Sequence, residues 1–124
     1  PRIRTVRAFR LASPASDRDR FTIYVLTRRS TRKVEHIAAN PSVTLYFNED
    51  HRTTYTTLMG QAVVHRDPNV PRLQQFLDSG TVRFFWPAFP DDFIIIEVVP
   101  QWLEHIGPGH WNDPNTWRPQ AVIF

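Results

Sequence analysis

The chain has 124 residues and a mass of 14.6 kDa, which is enough for one domain with a modest apolar core. Its 15 cationic residues are spread among 12 acidic ones, so the net charge of +3 does not favour a nucleic-acid-binding groove. It contains no cysteine, which excludes disulfides and cysteine-ligated metal sites. No apolar run approaches the roughly 20 residues of a membrane-spanning helix, and no signal-peptide pattern is present. We therefore expect a cytoplasmic protein that binds neither nucleic acid nor membrane.

The first third of the chain predicts strands and an exposed loop. The balance of 11 prolines against 4 glycines favours a loop-rich β protein with short helices over a helix bundle. Residues 1–11 have the character of a strand, in which Arg2 and Arg4 share one face. The segment Ser13–Arg20 is polar and joins two strand patterns, so we expect an exposed hairpin loop there. Because the sequence starts inside a strand and without a methionine, we expect further structure upstream of Pro1.

Residues 21–47 predict a strand, a basic turn, a helix and a second strand. Phe21–Thr27 is rich in β-branched and aromatic residues and is apolar on both faces, as in a buried strand. Apolar residues then recur at helical spacing until Asn40-Pro41 ends the pattern. Alternation from Val43 to Phe47 predicts the second strand.

The basic turn between that strand and that helix is the strongest candidate for a binding site. Either Ser30 or Thr31 can cap the first turn of the helix, and Arg32 and Lys33 follow at once. Backbone N–H groups, the positive end of the helix dipole, hydroxyls and cations meet there, which suits a phosphate. The alternative is a solvated charged turn, since turns from strand to helix are common.

The stretch after residue 50 predicts a long strand followed by a short helix. Within Thr53–His65, Gly60 interrupts a threonine-rich strand, which indicates a bulge or a barrel corner. The helix begins at Asp67-Pro68 and ends at Gly80. Residues 81–92 are aromatic and proline-rich and predict a loop or a short helical turn.

The end of the chain predicts two more strands and a tail. The pattern predicts a buried strand over Phe93–Val99, which Gln101–Ile106 continues as a last strand. The extended tail of residues 107–124 carries tryptophan and aliphatic residues that need a surface to pack on, which favours a partner subunit.

Motifs for common catalytic chemistries are absent from the sequence. It has no nucleophile elbow, phosphate-binding P-loop, dinucleotide-binding GxGxxG or zinc-protease signature. Glu104, His105 and His110 are candidate metal ligands, but strand alternation points Glu104 and His105 to opposite faces, so we expect no metal site. The catalytic residues are unknown, and any reaction would depend on a cofactor.

Several of these features resemble the FMN-binding split barrels of the pyridoxamine 5'-phosphate oxidase-like family, and within it the general stress protein type. Members of that family carry a strand ending in threonine, a Ser/Thr-Arg-Lys sequence that opens a helix, an Asn-Pro stop and an alternating strand. The corresponding residues here are Thr27, Thr31-Arg32-Lys33, Asn40-Pro41 and Val43–Phe47. The similarity continues through residues 55–62 and 85–100 and fades after about Gly107.

This resemblance implies a single split β-barrel domain that binds FMN at a homodimer interface and acts as an oxidoreductase on a small molecule, with NAD(P)H as a possible electron donor. It also implies that a helix and a strand precede Pro1. Thr31, Arg32 and Lys33 would hold the phosphate, and the backbone of Val25–Thr27 would run along the flavin ring, with Arg4 near its polar edge. The Thr53–Thr57 strand and the Trp86 loop of the second subunit would cover the other side. The implied cofactor-binding residues are Arg4, Thr5, Val6, Val25, Leu26, Thr27, Thr31, Arg32, Lys33, Tyr55, Thr57 and Trp86.

Departures from the family pattern limit the expected activity. Pyridoxamine phosphate oxidases proper have a glutamine where Tyr55 stands and a tryptophan near the position of Ile106, and no counterpart of their C-terminal arginine is clear. We therefore expect no vitamin B6 oxidase activity. Other readings are a deazaflavin or haem/tetrapyrrole binder of the same fold, a flavin-binding stress protein without turnover, and an arginine-rich barrel that binds RNA.

Overall fold

The computed structural model describes residues 6–48, 54–67, 74–77, 91–107 and 120–124. Just over half of them lie in strands, and the helices are short, as the sequence predicts. The elements in chain order are β1 (Ala8–Phe9), α1 (Asp17–Phe21), β2 (Ile23–Arg28), α2 (Arg32–Ala39), β3 (Ser42–Asn48), β4 (Tyr55–His65), α3 (Gln74–Leu77), β5 (Phe93–Ile106) and β6 (Gln120–Ile123).

The strands form one antiparallel sheet built around β5. The strand order is β1-β2-β5-β4-β3, and β6 also pairs with β5. Along one edge, β5 pairs with β4 from Ile95 to Ile106. The other edge is shared, since β2 pairs with residues 93–98 and β6 with residues 102–105. The chain thus returns to the sheet at β6, although residues 108–119 of the predicted tail lie outside the described residues.

Strand β5 continues through Pro100, so the two predicted segments form a single strand. Pro100 lies between the pairing of β5 with β2, which ends at Val98, and its pairing with β6, which begins at Trp102, so no described strand pairs with that edge of β5 at Pro100. Proline is tolerated in a strand at such places.

The sheet buries apolar side chains on both faces. We call the face with the larger cluster, which includes Val34 of α2, the inner face. The opposite, outer face carries a smaller cluster that includes Phe76 of α3. Strand β2 contributes to both, which confirms the prediction of a strand apolar on both faces, although the strand begins at Ile23 because Phe21 is the last residue of α1. The inner cluster consists of Ile23, Val25, Val34, Leu58, Ala62, Ile94, Ile96 and Val98, and the outer cluster of Tyr24, Phe76, Phe93 and Ile95.

Gly60 lies opposite a bulge, as its position in the strand predicts. Gly60 pairs with Pro100 while Met59 pairs with Trp102, so Gln101 is the extra residue on β5. A Cβ atom on residue 60 would overlap the backbone carbonyl oxygen of Val99 and lie 3.0 Å from its carbonyl carbon. The close approach of the two backbones therefore requires glycine at this position.

The prediction of a hairpin loop over Ser13–Arg20 is wrong in its second half, because residues 17–21 form α1. The Ser16 hydroxyl caps this helix by accepting a hydrogen bond from the Asp19 backbone N–H at 3.1 Å. Asp17 at the first turn pairs with Arg20 at the last turn over 3.7 Å, which suits the helix dipole. The local capping sequence outweighs the general polarity of the segment.

Other predicted elements are described in part. Of the helix expected from Asp67 to Gly80, residues 74–77 are described and helical, and the aromatic loop is outside the described residues up to position 90. In the described part of the chain, no helix is long and apolar enough to cross a membrane.

Candidate functional site

The turn between β2 and α2 brings a cluster of polar side chains together. Strand β2 ends at Arg28, and α2 begins at Arg32 with Thr31 in the N-cap position. Asn40 caps the other end, where its backbone N–H donates to the His36 carbonyl at 2.9 Å. Val34 anchors the helix on the inner cluster, so the first turn of α2 is held at the end of β2.

Lys33 lies at the centre of this cluster. Its ammonium group donates to the Thr27 hydroxyl at 3.0 Å, and the Thr27 and Thr31 hydroxyls are 3.2 Å apart. The Thr31 hydroxyl donates to the Arg28 carbonyl at 3.0 Å. Because a hydroxyl has one hydrogen, the Thr27 hydroxyl is the donor to Thr31. A directional chain of hydrogen bonds therefore runs from Lys33 through both threonines to the backbone of the turn.

The same contacts explain why the predicted cap is made only in part. Thr31 is the N-cap residue, but its side chain makes no capping hydrogen bond because its hydroxyl is directed to Arg28. The first-turn N–H groups of a helix normally take such a bond from their N-cap side chain. The N-cap side chain of α2 therefore takes no part in the hydrogen bonds of the first turn, where the Val34 N–H bonds to the Thr31 carbonyl at 3.1 Å.

Charge at the turn also favours an anion. Four cations lie within six residues, of which Arg28, Arg29 and Arg32 are exposed and Lys33 is half-buried. The positive end of the helix dipole adds to their potential. A phosphate or carboxylate at this place would meet charge and hydrogen-bond donors together.

The residues of β2 that were predicted to border the cofactor lie in the sheet. Val25 is buried in the inner cluster, and Leu26 packs on the outer cluster, so their side chains belong to the core. Thr27 is buried on the inner face next to the turn. Val6 packs on the inner cluster, and the antiparallel pairing of Ala8 with Val25 continues its segment towards Thr27.

Tyr55 and Thr57 lie elsewhere in the subunit. Thr57 pairs with Glu104 on β5, whereas Thr27 pairs with Ile94. These two partners are ten residues apart, which corresponds to about 30 Å along the strand. Thr57 also precedes the inward-facing Leu58 and so points to the outer face. One subunit therefore does not bring Tyr55 or Thr57 to the basic turn.

Arg4, Thr5 and Trp86, also predicted to contact the cofactor, lie outside the described residues. Within the described ranges, no three histidine or acidic residues are grouped to hold a metal ion.

Sequence reasoning missed the contacts of Arg29. Its backbone N–H donates to the Asp92 carbonyl at 2.8 Å, and its guanidinium donates to the Asp91 and Arg66 carbonyls at 3.0 and 3.5 Å. Nothing in the pattern TRRSTRK distinguishes this arginine from its neighbours, because its partners are distant in sequence.

The curled antiparallel sheet with one helix crossing after β2 defines the protein as a split β-barrel. A family model described as "Pyridoxamine 5'-phosphate oxidase like" matches residues 11–76, just over half of the chain. The chain belongs to this pyridoxamine 5'-phosphate oxidase-like family, as its sequence features indicate. No curated protein matches it.

Solved structures with the same fold have low sequence identity to this chain. One is a protein from Clostridium acetobutylicum related to general stress protein 26, with a TM-score of 0.62 and 17% identity over 82% of this chain and 66% of that one. Another is an FMN-binding protein from Nostoc punctiforme related to pyridoxamine 5'-phosphate oxidase, with a TM-score of 0.67 and 12% identity over 98% and 78%. A haem-binding protein from Mycobacterium smegmatis has a TM-score of 0.57 and 14% identity over 82% and 42%. The chain thus spans about two thirds of the Clostridium protein and less than half of the Mycobacterium protein.

Proposed function

We propose that this protein binds FMN at the start of α2 and acts as a flavin-dependent oxidoreductase on a small molecule. The observation that carries the proposal is the cluster in which the Lys33 ammonium and the Thr27 and Thr31 hydroxyls lie beside a helix N-terminus without a side-chain cap. The family and the FMN-binding protein from Nostoc support a flavin as the ligand.

The donors present fit the phosphate group of FMN. A phosphate monoester is doubly charged and offers several acceptor oxygens, which match an ammonium group, a guanidinium and the backbone N–H groups of a first helical turn. Lys33 and Arg32 would supply the charge, and Thr31 would supply a hydroxyl from the N-cap position. The contact between Lys33 and Thr27 keeps the ammonium beside the turn before any ligand binds.

A bound flavin supplies hydride and electron transfer, so the protein's contribution would be binding and orientation. The backbone of β2 between Val25 and Thr27 is fixed by pairing with β5, which provides a rigid border for a planar ring. The electron donor in this proposal is NAD(P)H or a reduced substrate.

A homodimer is part of the same proposal. Because about 30 Å of strand separates the partners of Thr27 and Thr57, these residues can line one site only if they come from different subunits. Large apolar side chains are exposed on the sheet, among them Tyr46, Met59 and Ile123. Exposed apolar residues of this kind suit contact with a second subunit.

Titration of the purified protein with FMN and with riboflavin tests the proposal. The two ligands share the ring and differ in the phosphate, so a phosphate site predicts much tighter binding of FMN. Oxidation of NAD(P)H by the loaded protein then tests turnover. Equal affinity for the two flavins, or no binding of either, would refute the site.

Haem is the second candidate ligand, because the Mycobacterium haem-binding protein shares the fold. Haem iron needs an axial ligand such as histidine. His105 contacts the Thr56 hydroxyl at 2.9 Å through Nδ1, so its Nε2 atom would be the one to bind iron, and the His65 Nε2 atom lies 3.6 Å from Glu97. A Soret band on haem addition, together with no flavin binding, would favour haem over FMN.

A further inference from the structure

Arg29 connects the basic turn to two other strands of the sheet. Its backbone N–H and its Nε atom donate to the carbonyls of Asp92 and Asp91, immediately before β5, and its Nη2 atom approaches the carbonyl of Arg66, immediately after β4. The Nη2 contact, at 3.5 Å, is long and therefore the weakest of the three.

The reach of these contacts follows from the sheet order. β5 lies between β2 and β4, so the ends of β2 and β4 are separated by two strand spacings, about 10 Å. The Arg29 side chain crosses over the start of β5 to span this gap. Arginine suits this position because its planar guanidinium donates in two directions at once, whereas the single ammonium of lysine cannot reproduce that fork.

The contacts fix the turn from which α2 starts. The Thr31 N–H and the Thr31 hydroxyl both bond to the Arg28 carbonyl, and the Val34 N–H bonds to the Thr31 carbonyl, so the first turn of α2 is built directly on residues 28–31. A movement of Arg29 would be passed to these residues through short hydrogen bonds.

We infer that Arg29 is a positioning residue, which ties the turn to the ends of β4 and β5 and so orients the start of α2 towards the ligand's phosphate. This inference rests on the proposed function. It separates the cations of the turn by role: Arg32 and Lys33 would touch the phosphate, and Arg29 would act through the backbone.

The test compares Arg29→Lys and Arg29→Ala with the matched surface variants Arg18→Lys and Arg18→Ala. Arg18 is exposed on α1, so its variants control for the loss of guanidinium and of charge. In the protein without ligand, both Arg29 variants should accelerate amide hydrogen exchange at Thr31 and Val34, and the Arg18 variants should not. Unchanged exchange in Arg29→Lys would overturn the inference, whatever FMN does.

The second measurement is the affinity for FMN by calorimetry. Both Arg29 variants should bind FMN roughly 3- to 10-fold more weakly, the scale of one or two lost hydrogen bonds, while riboflavin affinity stays nearly unchanged. A role through charge alone predicts instead that Arg29→Lys binds FMN like the parent, and this result would overturn the inference.

Lys33→Ala, measured alongside, separates this inference from the proposed function. Weaker FMN binding in Lys33→Ala with none in the Arg29 variants would refute the role of Arg29 and leave the phosphate site standing. If neither residue affected FMN binding, the phosphate site itself would be refuted, and the role of Arg29 in ligand binding with it.

Discussion

Replacing Lys33 by alanine removes the ammonium group at the centre of the hydroxyl cluster. A hydrogen bond from a charged donor contributes roughly 1.5 to 3 kcal/mol net, and each 1.4 kcal/mol is about tenfold in affinity, so Lys33→Ala should weaken FMN binding about 10- to 150-fold. Lys33 is half-buried, and a phosphate there would be partly shielded from water. Riboflavin lacks the phosphate and should bind almost as before. Calorimetric titration of both ligands measures the difference.

Loss of the fold does not complicate the Lys33→Ala result. Alanine favours helix, and the Thr27 hydroxyl keeps its contact with Thr31, so the free energy of unfolding should fall by less than about 1 kcal/mol. Arg18→Ala removes an equal charge from α1 and should leave FMN affinity within about twofold. Lys33→Ala binding FMN as tightly as the parent, or losing FMN and riboflavin affinity equally, would refute the reasoning.

Three further predictions concern the sheet and its surface. Gly60→Ala should lower the free energy of unfolding, measured by urea titration, by about 3 kcal/mol, because its Cβ atom meets a backbone carbonyl. In the control Gly107→Ala, the Cβ atom meets only the His105 side chain at 3.1 Å, so the free energy of unfolding should fall much less, and an equal fall would contradict this account. Tyr55→Phe should change the spectrum or the reduction rate of the bound flavin. The control is Tyr46→Phe, since the Tyr46 and Tyr55 ring centroids are 5.8 Å apart, and equal effects of the two variants would argue against Tyr55 lining the site. Light scattering should give twice the 14.6 kDa chain mass, and Met59→Glu should favour the monomer; a monomeric parent with FMN bound would exclude the proposed dimer.

Much of the fold around the turn is predictable because its signals are local. Strand β2, helix α2 and strand β3 follow one another within 26 residues, and each shows its own periodicity and stop signal. The bulge beside Gly60 is predictable for the same reason, since a glycine in a strand indicates a close backbone approach. The continuation of β5 through Pro100 is not, because it depends on where β2 and β6 pair with it.

The candidate site is likewise predictable only where its signals are local. The sequence places Thr31, Arg32 and Lys33 at a helix N-terminus, and the structure adds that Thr27 joins them through its hydroxyl. The sequence does not reveal that the Thr31 hydroxyl donates to the Arg28 carbonyl, since a threonine at the N-cap position can bond either to the helix or to the turn. The sequence also does not show the contacts of Arg29, because its side-chain partners lie 37 and 62 residues away.

The central position of β5 also determines when the protein can fold during its synthesis. The strand β2 pairs with residues of β5 that are made 65 to 75 residues later, between Arg28 and Phe93 at one end and Ile23 and Val98 at the other. At a synthesis rate of roughly 5 to 20 residues per second, an emerging chain waits on the order of 3 to 15 s with both apolar faces of β2 uncovered. An unpaired strand can pair with other chains. The time until β5 has been synthesised therefore sets how long each nascent chain is exposed to aggregation.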